Sequence, residues 1–212
     1  MLTEQFYAIA APGHEVTLWL LIILSIFSVA FILERFFTLR AYKKNSTQIL
    51  SKIGTLVSNN QLKDIKELAT DDSLEGRALK QGLTYIENHG EAGLEEIFNS
   101  YTLVEKPKLE KFLNFLATVG SNAPFIGLLG TVFGIMDAFR QLASNQGDGS
   151  MVMIGISKAL VATGVGLLVA IPAVIAYNHF QKQVKGILQS LDAVKEACIA
   201  YAKSNGRSKK VN

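Results

Sequence analysis

The chain has 212 residues, of which 49% are hydrophobic and 18% charged, and its mean hydropathy is +0.26. Average soluble domains carry about 25% charged residues, so this chain is depleted in charge and unusually apolar. Disordered, collagen-like and disulfide-scaffold classes are excluded, the last because the single cysteine, Cys198, has no internal partner. One cysteine and three scattered histidines leave no metal-ligand spacing, so we expect neither a metal nor a cofactor.

Three long apolar blocks, separated by ordinary polar sequence, predict an all-α integral membrane protein, because about 20 apolar residues cross a hydrocarbon core of about 30 Å. We place the transmembrane helices at residues 16–37, 112–139 and 151–177. The first block contains no charge before Glu34 and Arg35. The segment ahead of it lacks lysine and arginine, which predicts a retained anchor rather than a cleaved signal peptide.

The distribution of lysine and arginine predicts the orientation. Residues 38–111 and 178–212 are rich in both, whereas residues 1–15 have neither and the connection 140–150 has only Arg140. The positive-inside rule then places 1–15 and 140–150 in the periplasm and the two long segments in the cytoplasm. The pI near 8.9 reflects this topology, and no nucleic-acid-binding module accompanies it.

The long polar segments are predicted to be helical. Breakers at Asn59-Asn60, Asp71–Ser73 and His89-Gly90, with Pro107 just before the second span, divide residues 38–111 into a few short helices. After the third span we expect one continuous helix that frays near Gly206, because apolar residues recur there in a heptad seam. The seam comprises Phe180, Val184, Ile187, Leu191, Val194, Cys198 and Tyr201. Its partner is either the 92–111 helix of the same chain or another subunit.

Small residues form ridges on the second and third spans. They are Gly127, Gly130 and Gly134 on the second span, and Ala162, Gly166, Ala170 and Ala173 on the third. Because small residues allow helices to approach closely in lipid, the ridges predict helix packing, either within one chain or between subunits.

Polar residues within these spans suggest an ion path. Thr131 and Thr163 lie well inside their helices at similar depth. Each hydroxyl can bond back to its own helix, but two threonines beside the small-residue ridges favour a hydrated lining. Neither span has a carboxylate at mid-depth, so a proton relay requires one from another chain. Lys158 is expected to snorkel to the interface or to pair with Asp137 or a partner acid.

Two stretches carry a family resemblance: ATVGSNAPFIGLLGTVFGIMDAF (117–139) and GISKALVATGVGLLVAIPAVIAYNHF (155–180). They resemble the ExbB/TolQ branch of the MotA/TolQ/ExbB proton-channel family. The resemblance implies a pentameric ring of pore-forming stator subunits in the bacterial inner membrane. It also implies two single-span ExbD/TolR-like partner chains whose membrane aspartate accepts the ion, and it matches Thr131 and Thr163 to the family's pore threonines. A TonB/TolA-like envelope-spanning protein is a further candidate partner.

The Glu34-Arg35 pair at the inner end of the first span fits the same resemblance. We expect Glu34, Arg35 and Pro172 to be structural residues at the cytoplasmic end. Lys158 departs from the resemblance, because members of this branch commonly have glutamate five residues before the third-span threonine. The implied activity is a proton-driven motor acting on the outer membrane or cell envelope, and no enzymatic activity is expected. Two alternatives remain: a non-conducting membrane scaffold, favoured by Lys158, and a sodium-driven motor, disfavoured because Gly164 after Thr163 adds no second hydroxyl.

Overall fold

The computed structural model describes residues 2–58, 62–70, 72–144 and 149–208. Over these ranges the chain forms a 3-10 helix, Leu62–Thr70, and five α-helices. The α-helices are α1 (Leu2–Ser58), α2 (Leu74–His89), α3 (Leu94–Leu109), α4 (Leu113–Ser144) and α5 (Gly149–Ser208). Three of them, α1, α4 and α5, are long and apolar enough to cross a membrane, which confirms the predicted all-α membrane architecture.

The helix α1 is longer than the predicted first span. It begins at Leu2 and continues to Ser58, with Pro12 inside it. The segment from Arg35 to Ile53 contains no glycine or proline, so nothing in it stops a helix. The separate short helix expected at the start of residues 38–111 is therefore part of α1. The break predicted at Asn59-Asn60 lies outside the described residues.

Capping residues define the ends of α2. The backbone N–H of Gly76 donates to the Ser73 hydroxyl over 3.0 Å, which satisfies one of the free donors at the helix start. The helix ends at His89, and Gly90 follows with φ of 75°, a conformation that glycine adopts without the steric cost of a side chain. The predicted breaks at Ser73 and at His89-Gly90 are confirmed, whereas Asp71 lies outside the described residues.

The turn between α3 and α4 comes after the proline that was expected to mark it. Pro107 lies inside α3, which ends at Leu109, and α4 begins at Leu113. Phe112 has a φ of 64°, which is unusual for a residue with a large side chain. Its ring stacks on the ring of Phe31 with centroids 4.2 Å apart. This ring contact accompanies the left-handed backbone at the start of α4.

The chain divides into two compact units. The span unit comprises Met1–Glu34 and Phe112–His179, and the extension unit comprises Arg35–Lys111 and Phe180–Asn212. The span unit has a buried core in which Leu21 of α1 packs with residues of α4 and α5. These residues are Val119, Ala123, Val169, Ala170 and Ala173. Three of these residues are alanines on α4 and α5, whose small side chains allow the two helices to approach closely.

The heptad seam lies in the core of the extension unit. All seven of its residues are buried within the single chain, which supports the intrachain alternative for the seam. The helix α2 packs beside the seam: a Cβ atom on Gly82 would lie 2.7 Å from the Phe98 ring of α3 and 3.1 Å from Cys198 Sγ. The Ser190 hydroxyl also donates to the buried Glu75 carboxylate over 2.5 Å. The seam is therefore not available as a contact between subunits.

Arg35 stabilises the end of α3 within the extension unit. It is 3% exposed, and its Nη1 atom donates to the carbonyl oxygens of Lys108 and Leu109 over 3.2 and 3.4 Å. Carbonyl groups in the last turn of a helix have no partner within that helix. The guanidinium thus supplies donors that the backbone lacks.

We predict that Arg35→Met destabilises the extension unit by roughly 2–4 kcal/mol, because it removes charged hydrogen bonds to one buried and one partly buried carbonyl group. Arg35→Lys should recover only part of the loss, since an ammonium lacks the planar fork of a guanidinium. Thermal unfolding in detergent, combined with hydrogen exchange at residues 106–112, measures both effects. Arg40→Met is the control, because Arg40 is exposed. Equal stability of Arg35→Met and Arg40→Met would refute the assignment.

Candidate ion path

The helices α4 and α5 are in backbone contact at their glycines. A Cβ atom on Gly127 would lie 2.6 Å from the Ala162 carbonyl oxygen, and one on Gly166 would lie 2.7 Å from the Ala123 carbonyl oxygen. Real Cβ atoms do not approach oxygen so closely, so both positions require glycine. Ala170 is 4% exposed in the same interface. The small-residue ridges therefore pack within one chain, and their use between subunits stays a prediction.

The helix α1 packs against the same face of α4, at Gly130 and Gly134. A Cβ atom on Gly130 would lie 2.6 Å from Thr17 Oγ1, and one on Gly134 would lie 2.6 Å from the Ala159 Cβ atom. The Nδ1 atom of His14 lies 3.1 Å from the Gly130 carbonyl oxygen. Because a carbonyl oxygen only accepts, Nδ1 carries the hydrogen in this contact. Gly130 and Gly134 thus hold three helices together.

His14 is a residue of this site that the sequence pattern does not indicate. Its hydrogen bond joins residues 116 apart in the chain, and Thr17 Oγ1 donates to the His14 carbonyl oxygen over 2.8 Å. No local pattern predicts such a pairing, because it depends on the register between α1 and α4. The nearest signal is the four-residue spacing of Gly130 and Gly134, which marks the face on α4 but not its partner.

The two threonines lie at nearly the same depth. Gly130 contacts Ala162, and the threonines directly follow these residues on antiparallel helices, so they differ by about 3 Å along the helix axes. The Thr131 hydroxyl donates to the Leu128 carbonyl oxygen over 2.6 Å, and Thr131 is 6% exposed in the single chain. Thr163 is half-buried. Of the two residues, Thr163 is the more accessible from outside the chain.

Lys158 and Asp137 lie near one another in depth but are not paired. The contacts of Gly134 with Ala159 and of Gly155 with Ala138 bring their two helical segments together. Among the described residues no ion pair joins Lys158 to Asp137, whose Oδ2 atom accepts a hydrogen bond from Gln141 Nε2 over 2.7 Å. Lys158 is exposed on α5. An ammonium at this position needs water or a partner chain's acid.

The remaining predicted residues lie outside this contact region. Glu34 is half-buried, and Pro172 is exposed inside α5. Cys198 is buried in the extension unit, and its burial raises the pKa of the thiol to about 12. A thiol with such a pKa is almost entirely protonated at neutral pH and is therefore a poor nucleophile. Within the ranges that the structure describes, no three His, Cys, Asp or Glu side chains are grouped to hold a metal.

A large part of the chain matches a known protein family. The family model described as the MotA/TolQ/ExbB proton channel family matches residues 70–193, more than half of the chain. The match includes α4, both threonines and Lys158.

Three curated relatives illustrate the similarity. The Tol-Pal system protein TolQ of Pseudomonas aeruginosa is 58% identical over 77 residues, which are 36% of this chain and 33% of that protein. TolQ of Haemophilus influenzae is 51% identical over 86 residues, 40% of this chain and 38% of that protein. The biopolymer transport protein ExbB of Aquifex aeolicus is 42% identical over 105 residues, 49% of this chain and 70% of that protein. The chain thus spans well under half the length of the two TolQ proteins.

We predict that Gly127→Ala destabilises the span unit by about 1–3 kcal/mol, because its added methyl group must separate two backbones that are in contact. Gly164→Ala is the matched control, since a Cβ atom at Gly164 has nothing within 4 Å. The control should keep or slightly raise stability, because alanine favours helix by up to about 1 kcal/mol over glycine. Thermal unfolding of the two variants in the same detergent gives the comparison. Equal melting temperatures would contradict the close contact.

Proposed function

Because the chain belongs to the MotA/TolQ/ExbB proton channel family, we propose that it is the pore-forming stator subunit of a proton-driven inner-membrane motor. The observation that carries the proposal is the span unit, in which a tight three-helix packing presents threonines but the spans contain no mid-depth carboxylate. A proton path needs a titratable group. In this proposal the chain therefore forms the walls of the proton path, and a partner chain supplies the group that binds the proton.

In this proposal the three transmembrane segments are residues 16–37, 112–139 and 151–177. The lysine and arginine distribution supports a periplasmic N-terminus and a cytoplasmic C-terminus. The 38–111 and 178–212 segments then lie in the cytoplasm, and the short 140–150 connection lies in the periplasm. Such a topology puts both halves of the extension unit on the same side of the membrane, and the packing of these halves into one compact unit supports it.

The partner in this proposal is a single-span ExbD/TolR-like chain that carries a membrane aspartate. We propose five copies of the present chain around two of the partner. Because the heptad seam is buried within one chain, subunit contacts must use the other exposed surfaces, including large apolar side chains on α4 and α5. A TonB/TolA-like protein would carry the mechanical output to the outer membrane or cell envelope. The process driven is transport energisation, envelope maintenance or motility.

A non-conducting scaffold is the second candidate function, and the exposure of Lys158 on α5 favours it. A fixed positive charge facing a pore would repel incoming cations. A sodium-driven motor is the third candidate. Sodium needs several oxygen ligands, and Gly164 beside Thr163 adds none, so we favour protons.

Proton flux into lipid vesicles tests the proposal. The chain is reconstituted alone, with the single-span product of a neighbouring gene, and with that partner's aspartate changed to asparagine. We expect a native mass for the complex that contains five copies of the chain, and flux only with the intact aspartate. A properly assembled complex with no proton flux would support the scaffold, and flux that requires sodium would support the third candidate.

We predict that Thr163→Val preserves assembly and lowers partner-dependent proton flux about tenfold or more, because valine keeps the shape but removes a hydroxyl that holds water. Thr163→Ser should retain part of the flux. The matched control is Val161→Thr, which adds a hydroxyl at an exposed position of the same helix. Unchanged flux in Thr163→Val, with the oligomer intact, would make this threonine a packing residue.

We predict that Lys158→Met folds normally and changes the rate of ion entry at most a few-fold, because a lysine exposed on the span is expected to reach water rather than to carry the ion. Flux at increasing salt concentration measures the electrostatic part of the effect. Lys158→Glu should also assemble. Loss of all partner-dependent flux in Lys158→Met would assign the lysine a direct part in coupling.

A further inference from the structure

Four polar side chains form a ladder on one face of α4. They are Asn114, Thr118, Ser121 and Asn122, and all four are exposed. Their spacing places them on one stripe of the helix, since residues three and four apart are neighbours on its surface. The stripe is about 12 Å long at 1.5 Å per residue. It lies in a helix that is long and apolar enough to cross a membrane.

Three of the four ladder side chains are held by hydrogen bonds along their own helix. The Thr118 hydroxyl donates to the Asn114 carbonyl oxygen over 2.8 Å, and the Ser121 hydroxyl donates to the Thr118 carbonyl oxygen over 3.1 Å. Asn122 Nδ2 donates to the Thr118 carbonyl oxygen and to Ser121 Oγ over 2.8 and 3.1 Å. These bonds use donors of the Thr118, Ser121 and Asn122 side chains and fix these three side chains in place, whereas Asn114 takes part only through its backbone carbonyl. The hydroxyl oxygens still have lone pairs that accept hydrogen bonds from water.

The opposite face of α4 makes the helix contacts. Gly120, Ala123, Gly127 and Gly130 are buried there against α1 and α5. Close packing in lipid uses small residues of this kind, so the side of α4 that packs tightly is already occupied. The ladder instead presents amide and hydroxyl groups, which are costly against hydrocarbon and which face water-filled cavities in membrane proteins.

We propose that Asn114, Thr118, Ser121 and Asn122 line a water-filled vestibule that gives the ion access to the inner half of the membrane path. The vestibule begins where α4 begins, at Leu113, and ends at Phe125, whose exposed ring follows the ladder on the same stripe. This proposal deepens the proposed function and rests on it for the identity of the ion. The presence of water beside the ladder is independently measurable.

Cysteine accessibility in reconstituted vesicles tests the vestibule. Ser121→Cys and Thr118→Cys place a thiol on the ladder, and a charged methanethiosulfonate reagent added to both sides reports water, because only the thiolate reacts. The native Cys198 is buried and its thiol pKa is raised to about 12, so the full-length chain needs no cysteine-free background.

Matched controls come from α1 at the same depth. Thr17 lies beside Gly130, and the Phe31 and Phe115 rings are 5.0 Å apart. This antiparallel register brings Ile26 to about the level of Ser121 and Val29 to about the level of Thr118. Both control side chains are exposed and apolar, at 63% and 53%. We expect Ser121→Cys and Thr118→Cys to react at least about tenfold faster than Ile26→Cys and Val29→Cys, because a thiol in hydrocarbon forms no thiolate.

Ladder cysteines that react no faster than the controls would overturn the vestibule, whether the ladder is covered by a partner helix or by lipid. Proton flux in the unmodified complex separates this result from a failure of the proposed function. Proton flux without labelling of the ladder cysteines would support the proposed motor and contradict the vestibule. Labelling of the ladder cysteines without proton flux would support a water-exposed ladder and contradict the motor.

Discussion

The backbone contact between α4 and α5 is the constraint on which the rest of the span unit depends. Gly127 and Gly166 bring the two helices so close that a single methyl group at either position would lie within 2.7 Å of a carbonyl oxygen. No hydrophobic effect drives helices together in lipid, so contact of this kind and the dispersion it allows must hold them. On the same face of α4, Gly130 and Gly134 are contacted by α1. His14 and Thr17 are the α1 residues that pack against them.

This packing decides which groups remain available for ion movement. The buried face of α4 holds Thr131, whose hydroxyl is bonded to its own helix. The exposed surfaces hold the ladder on α4 and the partly exposed Thr163 on α5. All of these groups accept and donate hydrogen bonds without changing charge at neutral pH. A chain with these groups can hydrate and position a proton carrier, and in the proposed function the carrier itself comes from a second protein.

Much of the fold was predictable because its signals are local. The apolar blocks predict three spans, and the seam from Phe180 to Tyr201 predicts a continuous α5, both of which the structure shows. The partner of the seam was only partly predictable. Periodicity describes one face of one helix, whereas the fit of Gly82 beside Phe98 and Cys198 depends on tertiary packing.

The candidate site was less predictable than the fold. The left-handed Phe112 and the bond from His14 to Gly130 have no local sequence signal. The polarity of the ladder was visible in the sequence, but its exposure was not, because a polar residue on a span is equally compatible with a buried helix contact. Lys158 shows most clearly that a sequence does not predict side-chain partners. Asp137 lies near it in depth, but the Asp137 side chain accepts a hydrogen bond from Gln141 instead.

The most direct test of the central claim is a structure of the chain together with the proposed single-span partner in a lipid nanodisc. The account predicts that the partner's membrane carboxylate lies inside a ring of the present chain, at the depth of Thr163 and within reach of its hydroxyl through one water molecule. A partner helix bound on the outer, lipid-facing side of the ring would contradict the account. A carboxylate far from the threonine level would contradict it equally.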